Sequence, residues 1–331
     1  MSLKRVLLIA TGGTIASRPA GCGWEPQLSG EQILDYVPEL KDIADFASLP
    51  LFSIDSTNMN PSFWLLIAET IREYYDHYDA FVLTHGTDTL AYTAAALSYL
   101  IRNSRKPIVL TGSQKSIALR DTDARRNLVD AFIYAVDADA CGVKVVFDSQ
   151  ILLGTRVRKT HTQSYNAFTS IDYPPIGLIR RDAVLYFIKE IPTEPVAFRL
   201  AMDANVVVLK LVPGLMPEIL SAMVELSHAV IIEGFGVGGL PNIDGWNLAD
   251  VAAKLLAENK ILVMSTQVQH EGSDMGVYQV GHELKHILGM PEGFTMTPEA
   301  LTCKLMWILA QTRNPQEVKR LLYQRIDHDI L

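Results

Sequence analysis

Residues 6–14 read VLLIATGGT, and this stretch decides how the chain is organised. Its five leading apolar residues, from Val6 to Ala10, are too few for a helix and suit a buried strand. Thr11-Gly12-Gly13-Thr14 then end the run with turn chemistry. A wholly apolar strand closing on glycines and hydroxyls is the start of a βα unit in a parallel sheet. The pattern repeats outward along the chain. Further short apolar runs lie at 49–54, 80–83, 108–110 and 143–147. Helical periodicity fills the gaps, from Pro61 with Phe63, Ile67 and Ile71 on one face, and over about 90–101 and 123–136. Asn60-Pro61, Thr297-Pro298 and Asn314-Pro315 each place a cap residue ahead of a first-turn proline. Ser29 with Gln32 reads as a capping box opening a short helix before Pro38. Residues 150–190 read as hairpin-like strands and loops.

Pro192 and Pro195 fall in a stretch that loses periodicity. A linker is therefore placed at 191–200, after an N-terminal domain over 1–190. A second βα series begins beyond it, with strands at 206–211, 229–233 and 261–265 and helices at 217–226 and 248–258, and forms a C-terminal α/β domain over 201–331. A chain of 331 residues has room for two cores. The fold class is α/β, with a mostly parallel sheet flanked by helices in the N-terminal domain.

Bulk properties exclude several functions. Hydrophobic residues make up 49% and charged residues 20%, as a packed globular protein requires. The net charge of −8 offers no basic excess to neutralise phosphates, so nucleic acid is not an expected partner. Three widely spaced cysteines, Cys22, Cys141 and Cys303, form neither a disulfide framework nor a zinc ribbon. No apolar stretch approaches the ~18 residues of a membrane span, and the first run is too short for a signal peptide. A cytoplasmic protein that binds no membrane is expected.

Ligands of open parallel sheets bind at the carboxyl ends of the strands. Those ends carry Thr11-Gly12-Gly13-Thr14, Asp55-Ser56-Thr57, Thr84-His85-Gly86-Thr87-Asp88-Thr89 and Thr111-Gly112-Ser113-Gln114. Each alone is ordinary turn chemistry. Together they gather hydroxyls, glycines and carboxylates on one rim. A hydroxyl is a weak nucleophile until a base assists it. Glycines let backbone N–H groups approach a developing oxyanion. Carboxylates can hold an ammonium. Acyl transfer on a small zwitterion fits this set.

Thr11-Gly12-Gly13-Thr14-Ile15-Ala16 after a first strand resembles the opening signature of the L-asparaginase/glutaminase family. His85-Gly86-Thr87-Asp88-Thr89 with Ala91-Tyr92-Thr93 resembles its second signature. The resemblance continues through Lys159, Ala167-Phe168, the glycines of 234–238 and Met296-Thr297 with Lys304-Leu305, and so covers nearly the whole chain. It looks like the cytoplasmic type I branch. It implies a larger N-terminal and a smaller C-terminal α/β domain, a homodimer or homotetramer, and no metal or organic cofactor. It implies hydrolysis of the side-chain amide of L-asparagine to L-aspartate and ammonia through a threonine-linked acyl-enzyme. Thr14 is the implied nucleophile. Thr87, Asp88 and Lys159 are the implied second hydroxyl–carboxylate–cation group. Asp55, Ser56, Thr87 and Asp88 are implied to bind the substrate, with Ser113 touching it through backbone or hydroxyl. Thr87 N–H and a glycine-loop N–H are the implied oxyanion hole. A glutaminase-asparaginase of mixed specificity is the alternative within the family. One position departs from the pattern. Ten residues after Thr14, where the family has tyrosine, stands Trp24. An indole only donates a hydrogen bond, so Trp24 cannot take a proton from Thr14 and is read as a loop anchor.

A rival signal lies at His282-Glu283-Leu284-Lys285-His286, with Gly289 and Glu292 beyond it. On a helix both histidines would share a face and could bind zinc, as in a metalloprotease. Pro291 breaks the chain where a third ligand is wanted. Dinucleotide binding is disfavoured because Asp55 lies far past the about 20 residues its fingerprint expects.

Overall fold

Strand β1, Arg5–Gly12, buries every residue but Arg5, which places it inside a sheet with both faces covered. The chain is described here from a computed structural model covering residues 3–20, 23–26, 32, 35–277 and 279–331. It splits into two compact units, Met1–Leu200 and Ala201–Leu331. Ser29 and Cys22 lie outside the described residues. Gln32 and Asp35, within the helix expected before Pro38, are helical, and a separate short helix, Leu40–Ile43, follows.

The first unit continues with β2 (Asp45–Ile54), α1 (Pro61–Tyr74), β3 (Ala80–Thr84), α2 (Leu90–Leu100), β4 (Pro107–Thr111), α3 (Ala124–Val136) and β5 (Gly142–Phe147). Three further strands, β6 (Gln150–Leu153), β7 (Gly177–Arg180) and β8 (Ala183–Tyr186), complete one sheet. Its order is β8-β7-β6-β5-β4-β3-β1-β2. Strands β2, β1, β3, β4 and β5 run parallel. The last three add on antiparallel. Two-residue turns with positive φ, Asp148-Ser149 and Arg181-Asp182, join the hairpins, as the twist of flanking strands demands.

Strand β2 runs four residues further back than the apolar run at 49–54. It sits at the sheet edge with one neighbour, alternates between half-buried and exposed, and carries Pro50. An edge strand needs no continuous apolar run and tolerates proline, so its first half was not legible as a strand. Asn60 caps α1 by accepting from Ser62 N at 3.0 Å, with Pro61 in the first turn. The segment 191–200, read as linker, is tied to this unit at its end. Ala197–Phe198 pairs antiparallel with Ile101–Arg102.

The second unit holds a parallel sheet of β9 (Val206–Lys210), β10 (Ala229–Gly234) and β11 (Leu262–Thr266). Helices α4 (Pro217–Leu226) and α5 (Leu248–Ala257) flank it, and α6 (Pro298–Leu309) and α7 (Pro315–Leu322) close the chain. Thr297 and Asn314 cap the last two helices. The HExxH segment is no regular helix: a short α-turn, Gln279–His282, runs into a π-turn, Glu283–Ile287. No described helix is long and apolar enough to cross a membrane.

Candidate active site

The strand order reverses between β1 and β3. Such a switch point opens a crevice at the carboxyl ends of the strands. The ends are level there, with Ala10 opposite Thr84, Thr84 opposite Thr111, and Gly12 opposite Ile54 after a register shift. Backbone packs on backbone across the reversal. Gly13, at φ +81°, lies so close to the β3 loop that a Cβ on it would come 2.3 Å from Gly86 N. A Cβ on Gly86 would come 2.6 Å from Ser56 Oγ. Only glycine fits either place. The loops after β1, β2 and β3 thus meet at Gly13, Ser56 and Gly86. Thr14, half-buried, starts the turn just past that contact. Ile15 behind it is fully buried, and its carbonyl accepts Ile117 N at 3.2 Å.

Thr87, Asp88 and Lys159 form one hydrogen-bonded group. Lys159 Nζ donates to Thr87 Oγ1 at 2.8 Å and to Asp88 Oδ1 at 2.6 Å. The lysine side chain is only 16% exposed, while the aspartate is 59% exposed and open to a ligand. Lys159 arrives on a hairpin, Val157–Lys159 against Phe168–Ser170, where it pairs with Phe168. Phe168 packs edge-on against Phe147 at the end of β5, with ring centroids 5.0 Å apart. That contact fixes the hairpin to the sheet and so carries the ammonium to the rim.

Asp55 caps the turn Ser56–Asn58. Its Oδ1 accepts both Thr57 N and Thr57 Oγ1 at 2.8 Å. Ser56 is buried, and its carbonyl accepts Thr89 Oγ1 at 2.8 Å, which ties the β2 and β3 loops together. Ser113 is fully buried, and its hydroxyl donates to Lys115 O. Gly13 lies in the glycine loop just after β1. Its N–H donates to Ile54 O at 3.1 Å and serves the sheet. Among the described residues Thr87 N–H donates to no carbonyl.

Two residues of the site had no role assigned from sequence. Gln114 accepts from Thr87 Oγ1 at 3.3 Å and donates to Ser164 O at 3.1 Å. Asp123 shapes that loop by accepting Gln114 N at 2.9 Å and Lys115 N at 3.0 Å. Burial raises the Asp123 carboxyl above its ordinary range, against the pull of those N–H groups. Its place just ahead of α3 gave no signal of this use. Trp24 lies on a strand, Gly23–Pro26, that pairs with Ser17–Ala20.

The HExxH residues do not converge on a cation. His282 and His286 are exposed with ring centroids 4.5 Å apart. Glu292, at the third-ligand spacing, is fully buried, paired with Lys285 at 2.5 Å and accepting Met275 N. A carboxylate so engaged is not available to a cation at the surface. Among the described residues no cluster of three or more His, Cys, Asp or Glu is arranged to hold a metal.

Comparison with known proteins places the same segments together. The family description "Asparaginase, N-terminal" matches residues 5–192, and "Glutaminase/Asparaginase C-terminal domain" matches 205–322. An L-asparaginase of Thermococcus kodakarensis is 40% identical over 98% of this chain and 99% of its own length. The structure of the thermostable L-asparaginase from that organism superposes with a TM-score of 0.92 at 39% identity, covering 99% of each chain. L-asparaginase I from Vibrio cholerae superposes at 0.87 with 29% identity over the full length of both.

Proposed function

This chain belongs to the asparaginase family, and from that premise we propose that it hydrolyses the side-chain amide of L-asparagine to L-aspartate and ammonia. The observation that carries the reading is the Lys159 ammonium bridging Thr87 Oγ1 and Asp88 Oδ1 beside the Gly13–Gly86 contact. Residues from separate loops assemble there a hydroxyl, a carboxylate and a cation, and nothing in the folding of the sheet requires all three. Similarity to L-asparaginases over the full chain supports the substrate.

In this reading Asp88 and Asp55 hold the substrate ammonium, and Ser56 faces its α-carboxylate. Thr14 Oγ bonds to the amide carbon. The Thr14 proton passes through a water to the Thr87–Asp88–Lys159 group, since an indole at position 24 has no lone pair to receive it. Thr87 N–H donates to the oxyanion as charge develops. The C–N bond then breaks, and the nitrogen takes the proton that came from Thr14 and leaves as ammonia. A β-aspartyl ester remains on Thr14. Water then adds to that ester, giving up one of its own protons to the Thr87–Asp88–Lys159 group; L-aspartate departs and that proton passes to Thr14. Dividing the work between an attacking and an assisting threonine gives each hydroxyl one task. The enzyme takes no cofactor, works in the cytoplasm and assembles as a homodimer or homotetramer.

Ammonia release from L-asparagine and from L-glutamine, by wild type and Thr14→Ala, tests it. Turnover of asparagine that disappears in a folded Thr14→Ala supports the reading. Turnover that survives the substitution, or none by wild type, removes it. Preference for glutamine would favour the mixed-specificity alternative. One methylene discriminates by only about 10–200-fold in a small pocket.

A further inference from the structure

Behind the Gly86–Thr87 peptide lies a buried hydrogen-bond chain that the proposed reaction does not consume. Trp64 Nε1–H donates to Thr93 Oγ1 at 2.9 Å. Thr93 Oγ1 lies 2.8 Å from His85 Nε2. His85 Nδ1 lies 2.7 Å from Gly86 O. Trp64, Thr93 and His85 come from α1, α2 and the β3 loop, and all three are buried.

Donor and acceptor inventory leaves one assignment of the protons. A carbonyl only accepts, so His85 Nδ1 carries hydrogen. An indole only donates, so Thr93 Oγ1 accepts from Trp64. Burial keeps the imidazole neutral, pulling its pKa from 6.5 to about 4. The ring's other nitrogen, Nε2, is then an acceptor, and the Thr93 hydroxyl proton goes to it. The chain runs in one direction, from Trp64 through Thr93 and His85 to Gly86 O.

We propose that this Trp64–Thr93–His85 chain is a positioning device for the oxyanion hole, acting through the Gly86–Thr87 peptide plane. In a planar trans peptide the carbonyl and the next N–H point in opposite directions. Holding Gly86 O on the His85 side therefore holds Thr87 N–H on the other, where among the described residues it donates to no carbonyl. A donor fixed before reaction costs no reorganisation when charge appears. The backbone of His85 is itself pinned, with its N–H on Thr111 O at 2.9 Å. Gly86 has no freedom to move sideways, with Ser56 and Gly13 against it. The imidazole is thus the part that selects the orientation of the plane. This inference rests on the amide-hydrolysis reading for its catalytic consequence, but not for its proton assignment.

Two measurements on the whole chain test it. The first is the ring 15N spectrum of His85, which needs no turnover. The Nδ1–H neutral tautomer is expected from pH 5 to 8 in wild type and is expected to persist in Thr93→Val, where Gly86 O still requires a donor. An imidazolium or an Nε2–H ring in wild type at pH 6 would overturn the proposal, whatever the enzyme does. The second is ammonia release by folded His85→Leu, His85→Gln and His85→Asn. The asparagine amide stands where Nδ1–H stands and can still donate to Gly86 O, whereas leucine cannot donate and glutamine replaces only the Nε2 end. Removing an oxyanion donor costs about 10²–10³ in kcat, so misaiming one should cost about 10–100-fold in Leu and Gln. KM should hold within about threefold, and Asn should recover most of the loss. Equal kcat in Asn and Leu would overturn the proposal, because a merely space-filling role would not distinguish a donor from an apolar side chain. Absence of asparagine turnover in wild type would count against the function, and the tautomer would then decide the proton assignment alone.

Discussion

Lys159→Met separates chemistry from stability at the centre of the site. The substitution keeps an unbranched side chain reaching to the ε position and removes the ammonium. Two charge-assisted hydrogen bonds disappear, at 2.8 Å to Thr87 and 2.6 Å to Asp88. Their worth to the fold is small. Asp88 is 59% exposed, and an ion pair of that kind contributes about 0–1 kcal/mol. A loss of that size moves the midpoint of thermal unfolding by about 2–4 °C in a domain of this size. Their worth to the reaction is larger. Positioned proton transfer contributes about 10²–10⁴-fold, and one charged hydrogen bond made to a developing charge about 1.5–3 kcal/mol. We therefore expect kcat for ammonia release to fall at least about 10²-fold, with thermal unfolding nearly unchanged. Lys159→Arg should also fall well below wild type, because a bulkier planar guanidinium cannot occupy the point where the compact ammonium sits between Thr87 and Asp88. A coupled ammonia assay beside a melting curve reads both quantities. Activity within tenfold of wild type in Lys159→Met would refute the assignment of Lys159 to the chemistry. A collapse of the melting temperature would show that the lysine holds the fold.

Gly13→Ala should destabilise the first unit by about 2–4 kcal/mol, read by urea unfolding, because its Cβ would lie 2.3 Å from Gly86 N at a positive φ. His85 makes stability depend on pH. Its folded pKa of about 4 lies below the unfolded 6.5, so the unfolded chain binds the proton more tightly between those values. Its contribution is full above pH 6.5 and is lost as pH falls towards 4, amounting to about 3 kcal/mol. Urea unfolding of wild type and His85→Asn at pH 7 and 4.5 should show that difference shrinking in the variant. Light scattering of the eluting protein should give twice the chain mass or more, and a monomer would remove the homo-oligomer from the account. Ammonia release should persist in a chelator and in the double variant His282→Ala, His286→Ala. Its loss in both would return the HExxH segment to the reaction.

The parts of the fold legible in sequence were those whose signal is local. Buried strands such as Ala80–Thr84 lie in an unbroken apolar run and cannot be mistaken. Caps at Asn60, Thr297 and Asn314 are set by a side chain and the proline after it. The start of β2 was hidden because an edge strand alternates and admits polar residues. The HExxH stretch stood as a rival in the sequence because spacing reports neither the burial of Glu292 nor its capture by Lys285. In the site, Thr87, Asp88 and Lys159 came from a resemblance, since residues 71 positions apart in sequence show no sign of touching. The uses of Gln114, Asp123 and His85 depend on which backbone groups lie beside them, and only coordinates supply that. The bond from the Ser113 hydroxyl to Lys115 O likewise depends on how the loop turns back on itself.

A bond from Thr14 Oγ to the carbon of a substrate amide is the step on which the proposed mechanism turns. Wild-type protein mixed with L-asparagine, quenched in acid within the first turnovers and digested for mass spectrometry, reports that bond directly. The peptide containing Thr14 should carry the mass of one β-aspartyl group, and the adduct should be absent from Thr14→Ala. An adduct on Thr87 with Thr14 unmodified, or full turnover by Thr14→Ala, would contradict it.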